Sequence, residues 1–222
     1  MHRISPLPRY LSRRISGWKA TDFADNRTWY ARLAERGQTP RAMVVSCADS
    51  RVDPLAMFGA EPGDVFLVRN VANLIPPFAP DHDHHGTSAA IEYAVRHLGV
   101  AHIIVVGHSR CGGVEACYEL CEGNAPELAE DTSFLGRWVS ILSPSWEAVH
   151  DAEMPRDMKL REMERQGVLV SLANLLTFPW VAEAIEQERL TIHGLWIDIG
   201  TGELMEFAGD TAQFSTVQTA QR

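Results

Sequence analysis

The sequence predicts an α/β fold with a mainly parallel central sheet flanked by helices, and three observations carry that expectation. Short apolar runs alternate along the chain with longer stretches of helical period, the order that builds a parallel sheet covered by helices. Met43-Val44-Val45 and His102-Ile103-Ile104-Val105-Val106 are apolar without alternation, as strands buried on both faces are. Both runs lead into polar residues, Cys47-Ala48-Asp49-Ser50-Arg51 and Gly107-His108-Ser109-Arg110-Cys111, and the carboxyl edge of a parallel sheet is where ligands bind.

In chain order, helices are expected over 6–16 and 22–36, the second stopped by Gly37. A strand follows over 41–47. Asp53-Pro54 opens a short helix, with Pro in its favoured first position. Glu61-Pro62-Gly63-Asp64 turns into a strand over 65–69. Ile75-Pro76-Pro77-Phe78-Ala79-Pro80 forces a loop. Ile91, Ala94, Val95 and Leu98 form the apolar stripe of a helix over 86–98, ended by Gly99. The strand over 102–106 passes through the turn at 107–113 into a helix over 114–120. Residues 133–150 read as one helix broken near Pro144. Residues 155–177 read as a long helix with Val168, Leu172, Leu175 and Leu176 on one face, and 179–189 as another. The segment 190–199 alternates as a strand, and Gly200-Thr201-Gly202 returns it into 203–207, a C-terminal antiparallel edge strand. The last dozen residues are polar and read as a loose tail.

The 222 residues are expected to form a single domain, with 1–37 as a helical arm packing on a partner subunit. No apolar run reaches the roughly 18–20 residues of a membrane span. The net charge of −9 argues against a nucleic-acid surface. The start is nonetheless basic, with Arg3, Arg9, Arg13, Arg14 and Lys19 and no acid in the first twenty residues. A transit peptide has that composition, but Trp18, Phe23, Trp29 and Tyr30 continue a helical pattern and favour a packing helix. No secretory segment is read, so a cytoplasmic location is expected. In that setting Cys47, Cys111, Cys117 and Cys121 point to metal, catalysis or packing rather than to disulfides.

His108 and Cys111 stand one helical turn apart where a strand becomes a helix, so imidazole and thiol can converge. A thiol at a helix N-terminus also loses its proton more readily. Two ligands do not hold a zinc ion; Cys47, at a second strand end, supplies a third. Three protein ligands leave a fourth position for water, which marks a catalytic site. Asp49 lies two residues beyond Cys47 and can point to the same side of an extended chain. It could accept a hydrogen bond from the water or fill the fourth position itself, and Arg51 could hold it ionised and oriented. Cys117 and Cys121 favour core packing over ligation. His82, His84 and His85 read as a solvated loop, with proton shuttling as the alternative. His102 and His193 read as strand-end residues with satisfied rings.

Cys-x-Asp-Ser-Arg at 47–51, taken with Gly-His-x-x-Cys-Gly-Gly at 107–113, resembles the β-class carbonic anhydrases. Val68-Arg69-Asn70-Val71-Ala72-Asn73, Gly86-Thr87-Ser88-Ala89-Ala90-Ile91-Glu92-Tyr93 and His193-Gly194 support the resemblance, which runs in order from residue 7 to residue 207. It implies one Zn2+ per chain on Cys47, His108 and Cys111, with water or Asp49 as fourth ligand. It implies reversible hydration of carbon dioxide to bicarbonate and a proton, with Asp49 accepting from the nucleophile and Arg51 orienting Asp49. It gives Gln38 as a donor to substrate across a subunit interface, Phe66, Val71 and Tyr93 as apolar pocket walls, and the Gly112 N–H as facing a substrate oxygen. A homo-oligomer, dimer or dimer of dimers, is implied, with N-terminal helices embracing the partner. Some members close at low pH, with the aspartate on the metal and bicarbonate nearby. They carry a Trp and a Tyr where this chain has Val44 and Ile197; Arg69 alone is retained, which implies the ungated subtype with Asp49 paired to Arg51. Two alternatives stand beside this reading: hydrolysis of carbonyl sulfide or carbon disulfide on the same scaffold, and a non-catalytic zinc protein with Asp49 fixed on the metal.

Overall fold

The computed structural model describes residues 5–80 and 85–217, and the chain divides into two compact units, Met1–Thr39 and Pro40–Arg222. The first unit holds α1 (Arg9–Ala20), α2 (Asp22–Asp25) and α3 (Arg27–Arg36). Its helices carry an aromatic triad: the Trp18 and Phe23 rings lie 5.3 Å apart and Phe23 and Tyr30 5.2 Å. The helix expected over 22–36 is interrupted at Asn26, whose side-chain amide donates back to the Asp22 carbonyl at 3.0 Å and closes a separate turn. Gly37 ends α3 at a φ of 76°.

The second unit is built on a six-stranded sheet in the order β2-β1-β3-β4-β5-β6. β1 (Ala42–Cys47), β2 (Val65–Asn70), β3 (His102–His108) and β4 (Thr191–Ile197) are parallel, as the alternation of strand and helix predicted. β5 (Leu204–Ala208) and β6 (Gln213–Thr216) are antiparallel. The sheet therefore ends in two antiparallel strands rather than one. Residues 213–216 are a strand and not part of a loose tail, because Phe214 packs on Phe207 with rings 5.4 Å apart.

Strand alternation sorts the core. Met43, Val45, Ile103 and Val105 face a cluster with Ile91, Val168, Leu175 and Phe178, while Val44, Val106 and Leu195 face the other side. The main cover on the first face is α9 (Arg156–Leu175). Its close approach depends on two glycines. A Cβ at Gly107 would stand 2.6 Å from Val168 Cγ2, and one at Gly194 2.9 Å from Leu172 Cδ1. Around it lie α5 (Gly86–Glu92), α6 (Gly112–Cys121), α7 (Phe134–Val139), α8 (Ser143–Glu147) and α10 (Pro179–Glu186). The helix expected over 86–98 is α-helical to Glu92 and widens to a π turn over Tyr93–Leu98, ending at Gly99 with φ 64°. The segment 133–150 is broken just before Pro144, where the tight turn Ser140–Leu142 separates α7 from α8. α4 (Pro54–Phe58) begins as expected: Asp53 caps it by accepting from the N–H groups of Leu55 and Ala56. Among the described residues no single helix is long and apolar enough to cross a membrane.

Candidate metal centre

Cys47 is the last residue of β1 and His108 the last of β3. The two strands are adjacent and parallel, with Ser46 opposite Val106, so their carboxyl ends lie side by side. Cys111 is the N-cap of α6. Between His108 and Cys111 the chain turns through Arg110, a non-glycine residue at φ 57°, which costs about 1 kcal/mol or more unless neighbours fix it. They do. The N–H groups of Arg110 and Cys111 both donate to Glu164 Oε1 on α9, at 2.6 and 3.3 Å, and the Arg110 carbonyl accepts from Arg51 Nη2 at 3.0 Å. Ser109 ties the same turn to β4: its N–H donates to the Ile197 carbonyl and its hydroxyl accepts from Ile199 N–H, each at 2.9 Å.

The result is a group of three buried donors, Cys47, His108 and Cys111, whose ligand atoms all lie within 4.8 Å of one another. The two sulfurs are 3.9 Å apart. A tetrahedral zinc ion with Zn–S near 2.3 Å requires roughly 3.8 Å between its sulfurs. The histidine is prepared for the same role. Its Nδ1 lies 2.9 Å from the Ser109 carbonyl, which can only accept, so Nδ1 carries the proton and Nε2 presents its lone pair. That Nε2 is buried and has no hydrogen-bond partner. Two thiols and a bare imidazole nitrogen at this spacing fit zinc.

The two thiols titrate as a unit. The neighbouring Cys111 thiol, and after it the His108 ring and the N–H groups of Asp49 and Ala72, pull Cys47 down to about 4 against the opposing effect of burial. Cys111 moves the other way, chiefly because it donates to Cys47 and is buried, although the N–H groups of Val114 and Gly113 at the start of α6 favour its thiolate. A divalent cation between the sulfurs favours the thiolate form of both.

Beside this cluster stands Asp49. Arg51 donates to its Oδ1 from the backbone N–H at 2.9 Å and from Nε at 3.0 Å, and to its Oδ2 from Nη2 at 2.7 Å. These bonds hold the Asp49 carboxyl well below the usual carboxylate range. Arg69 braces the same loop, donating to the carbonyls of Cys47, Asp49 and Val52 at 2.9, 2.6 and 2.8 Å.

The other expected residues divide. Val71 approaches the start of α6 closely: a Cβ on Gly113 would stand 2.8 Å from Val71 Cγ1. Gly112 opens α6, so its N–H has no partner inside the helix. Phe66 and Tyr93 pack on each other, rings 5.8 Å apart, but are not brought to the cysteines of their own chain. Phe66 pairs with Met43, four residues and roughly 13 Å back along the sheet from Cys47. Gln38 belongs to the N-terminal unit. Cys117 and Cys121 lie 4.0 Å apart, Cys117 fully buried and Cys121 packed against the same core cluster. His102 and His193 bond to each other at 3.2 Å. His82 and His84 lie outside the described residues. Glu164 was not singled out in the sequence; a glutamate amid Arg, Lys and Glu inside a helix carries no signal of burial.

Comparison with known proteins points to one family. A family model described as "Carbonic anhydrase" matches residues 42–204. The chain is 35% identical over 193 residues to "Beta carbonic anhydrase 3" of Arabidopsis thaliana, covering 85% of this chain and 73% of that protein. It is 35% identical over 186 residues to "Beta carbonic anhydrase 5, chloroplastic" of the same organism, where it covers 83% of itself but 59%, less than two thirds, of the relative. Among solved structures, the β-carbonic anhydrase CcaA superposes with a TM-score of 0.85 at 29% identity, over 96% of this chain and 94% of that one. A structure titled as tetrameric β-carbonic anhydrases from Sordaria macrospora gives 0.73 at 30% identity, over 90% and 95%.

Proposed function

Because the chain belongs to the β-class carbonic anhydrase family, we propose that it is a zinc enzyme that interconverts carbon dioxide and bicarbonate. The observation that carries this reading is the meeting of two thiols and an unpartnered imidazole nitrogen beside an aspartate already paired with arginine. When bound, zinc supplies the Lewis acidity that makes hydroxide available from water near neutral pH. Cys47, His108 and Cys111 would hold it.

The remaining steps belong to the chain. Asp49, ionised across the neutral range, accepts a hydrogen bond from the attacking oxygen and turns a lone pair toward carbon. Arg51 keeps Asp49 in that orientation. The Gly112 N–H, at the positive end of α6, is placed to donate to a substrate oxygen as charge develops there. Val71 forms an apolar wall, which suits an uncharged gas. Phe66, Tyr93 and Gln38 serve the pocket of a second copy, since Phe66 and Tyr93 sit away from the cysteines of their own chain. A homo-oligomer follows from that division of labour, and the tetrameric relatives support it. The site is of the ungated kind: Asp49 is held by Arg51, and Arg69 is committed to three backbone carbonyls.

Stopped-flow carbon dioxide hydration, run with metal analysis, tests the proposal. Wild type should turn over with one zinc per chain. Cys47→Ser should lose both metal and turnover, and Asp49→Asn should keep the metal and lose most turnover. An Asp49→Asn variant with full activity would overturn the role given to that carboxylate, and a metal-replete wild type without turnover would overturn the proposal.

A further inference from the structure

We propose that Glu164 is a positioning residue for the Asp49–Arg51 pair and acts through the peptide that joins Arg110 to Cys111; this rests on the carbonic anhydrase reading above. Glu164 is 5% exposed, on the face of α9 that also carries Met163, Gly167 and Val168. A carboxylate in such surroundings is unfavourable unless its oxygens are bonded. Among the described residues it forms no ion pair, and its Oε1 accepts instead from the N–H groups of Arg110 and Cys111, at 2.6 and 3.3 Å. Burial pushes the Glu164 carboxyl up and leaves Oε2 without a hydrogen-bond partner, so its hold on the chain is the Oε1 grip on two consecutive backbone N–H groups.

The gripped peptide has two ends. The Cys111 N–H and the Arg110 carbonyl belong to one planar unit and point in opposite directions. Glu164 holds the N–H end; Arg51 Nη2 holds the carbonyl end at 3.0 Å. The same Nη2 donates to Asp49 Oδ2 at 2.7 Å. The Arg51 side chain is 51% exposed, so packing does not fix its rotamer. Among the described residues, the Arg110 carbonyl is the anchor of that guanidinium other than Asp49. Arg110 sits at φ 57°, a conformation that persists only while its surroundings over-determine it. Without Glu164 the 110–111 peptide is free to rotate, Arg51 loses its second anchor, and Asp49 loses its fixed orientation. The line of force runs from α9 to the reacting centre without passing through a metal ligand's side chain.

The test uses zinc-loaded protein with Glu164→Ala and Glu164→Gln, each alone and combined with Asp49→Asn. Hydrogen exchange at the Arg110 and Cys111 amides, metal content and carbon dioxide hydration are read together. Expected are faster exchange at both amides in Glu164→Ala, retained zinc, and a loss of about 10- to 100-fold in kcat/KM. Glu164→Gln keeps the shape and one acceptor oxygen, so it should recover most of that loss and carries the same cycle if the alanine variant does not fold. In the Asp49→Asn background, Glu164→Ala should cost less than about threefold further, because the pair it positions is already disabled. An undiminished loss in that background, loss of zinc from Glu164→Ala, or unchanged exchange at both amides would each overturn the proposal. An Asp49→Asn variant as active as wild type would overturn the parent role of Asp49 and this proposal together; unchanged exchange with activity still dependent on Asp49 would overturn this proposal alone.

Discussion

Arg69 on β2 donates from Nε to the carbonyl oxygen of Cys47 on β1 at 2.9 Å, across the one-residue step by which the arginine precedes Asn70, the register partner of Cys47. Its Nη2 takes the carbonyls of Asp49 and Val52 as well. One planar fork therefore pins the beginning, middle and end of the loop that carries Asp49 and Arg51. Lysine has a point charge in place of the fork and cannot satisfy three carbonyls in this arrangement. Arg69→Lys is expected to reduce carbon dioxide hydration by about tenfold with zinc retained. Stopped-flow assay with metal analysis checks this; wild-type turnover in Arg69→Lys would show that the loop holds itself.

On the proposed zinc assignment, the unpartnered His108 Nε2 and the 3.9 Å sulfur separation would make the metal a stabilising ligand of the folded state. The thermal midpoint of wild type should fall on chelation and rise again with added zinc. His108→Ala should have a midpoint nearly insensitive to zinc in the same titration. Differential scanning fluorimetry decides the matter, and a zinc-dependent midpoint in His108→Ala would place the ion elsewhere.

Gly113 is a steric gate on the position of Val71. A methyl group there would meet Ala72 Cβ and Val71 Cγ1, both at 2.8 Å, and the first of these cannot move without its backbone. Gly113→Ala should destabilise the fold by about 1–3 kcal/mol in urea titration. A variant as stable as wild type would mean that the Val71–Asn73 turn yields without penalty.

Asp198 supplies a pH-dependent contribution at the hairpin that closes the sheet. Its carboxylate accepts from the N–H groups of Gly200 and Thr201 and pairs with Arg161, and these bonds, Gly200 first, lower its pKa below 3.8. A depressed acid contributes stability that is complete above its unfolded value and is lost as pH falls through the folded one. Asp198→Asn should therefore be less stable than wild type at neutral pH, by up to about 1 kcal/mol because the group is solvent-screened. The gap should close as pH falls through the folded-state value. Paired urea titrations read the difference, and a gap that widens on acidification would reverse the assignment.

The metal cluster was legible because its chemistry is written in short motifs. Cys47 and His108 each end an apolar run, and parallel strand ends meet at one edge. Asp49 and Arg51 were legible for the same reason. Glu164 was not, since its neighbours Met163 and Arg165 give no hint of which helix face turns inward. That face is set by how α9 crosses Gly107 and Gly194, a tertiary fact. The strand at 213–216 was missed because Gln213, Ser215 and Thr216 are polar and its single apolar anchor is Phe214. The π turn at Tyr93–Leu98 escaped because the apolar stripe of α5 does not register a one-residue widening. Phe66 and Tyr93 were named as pocket walls, but a sequence does not say whose pocket a residue lines.

Cys47 and Cys111 are separated by 64 residues, and the N–H groups near each sulfur in sequence do not bring the two together. The cluster comes into being when β1 docks against β3, a long-range pairing of the kind that limits folding speed. On the proposed zinc assignment, metal capture during renaturation would thus be a clock for completion of the sheet: helix formation should run ahead of it, and metal uptake should keep step with the slowest phase.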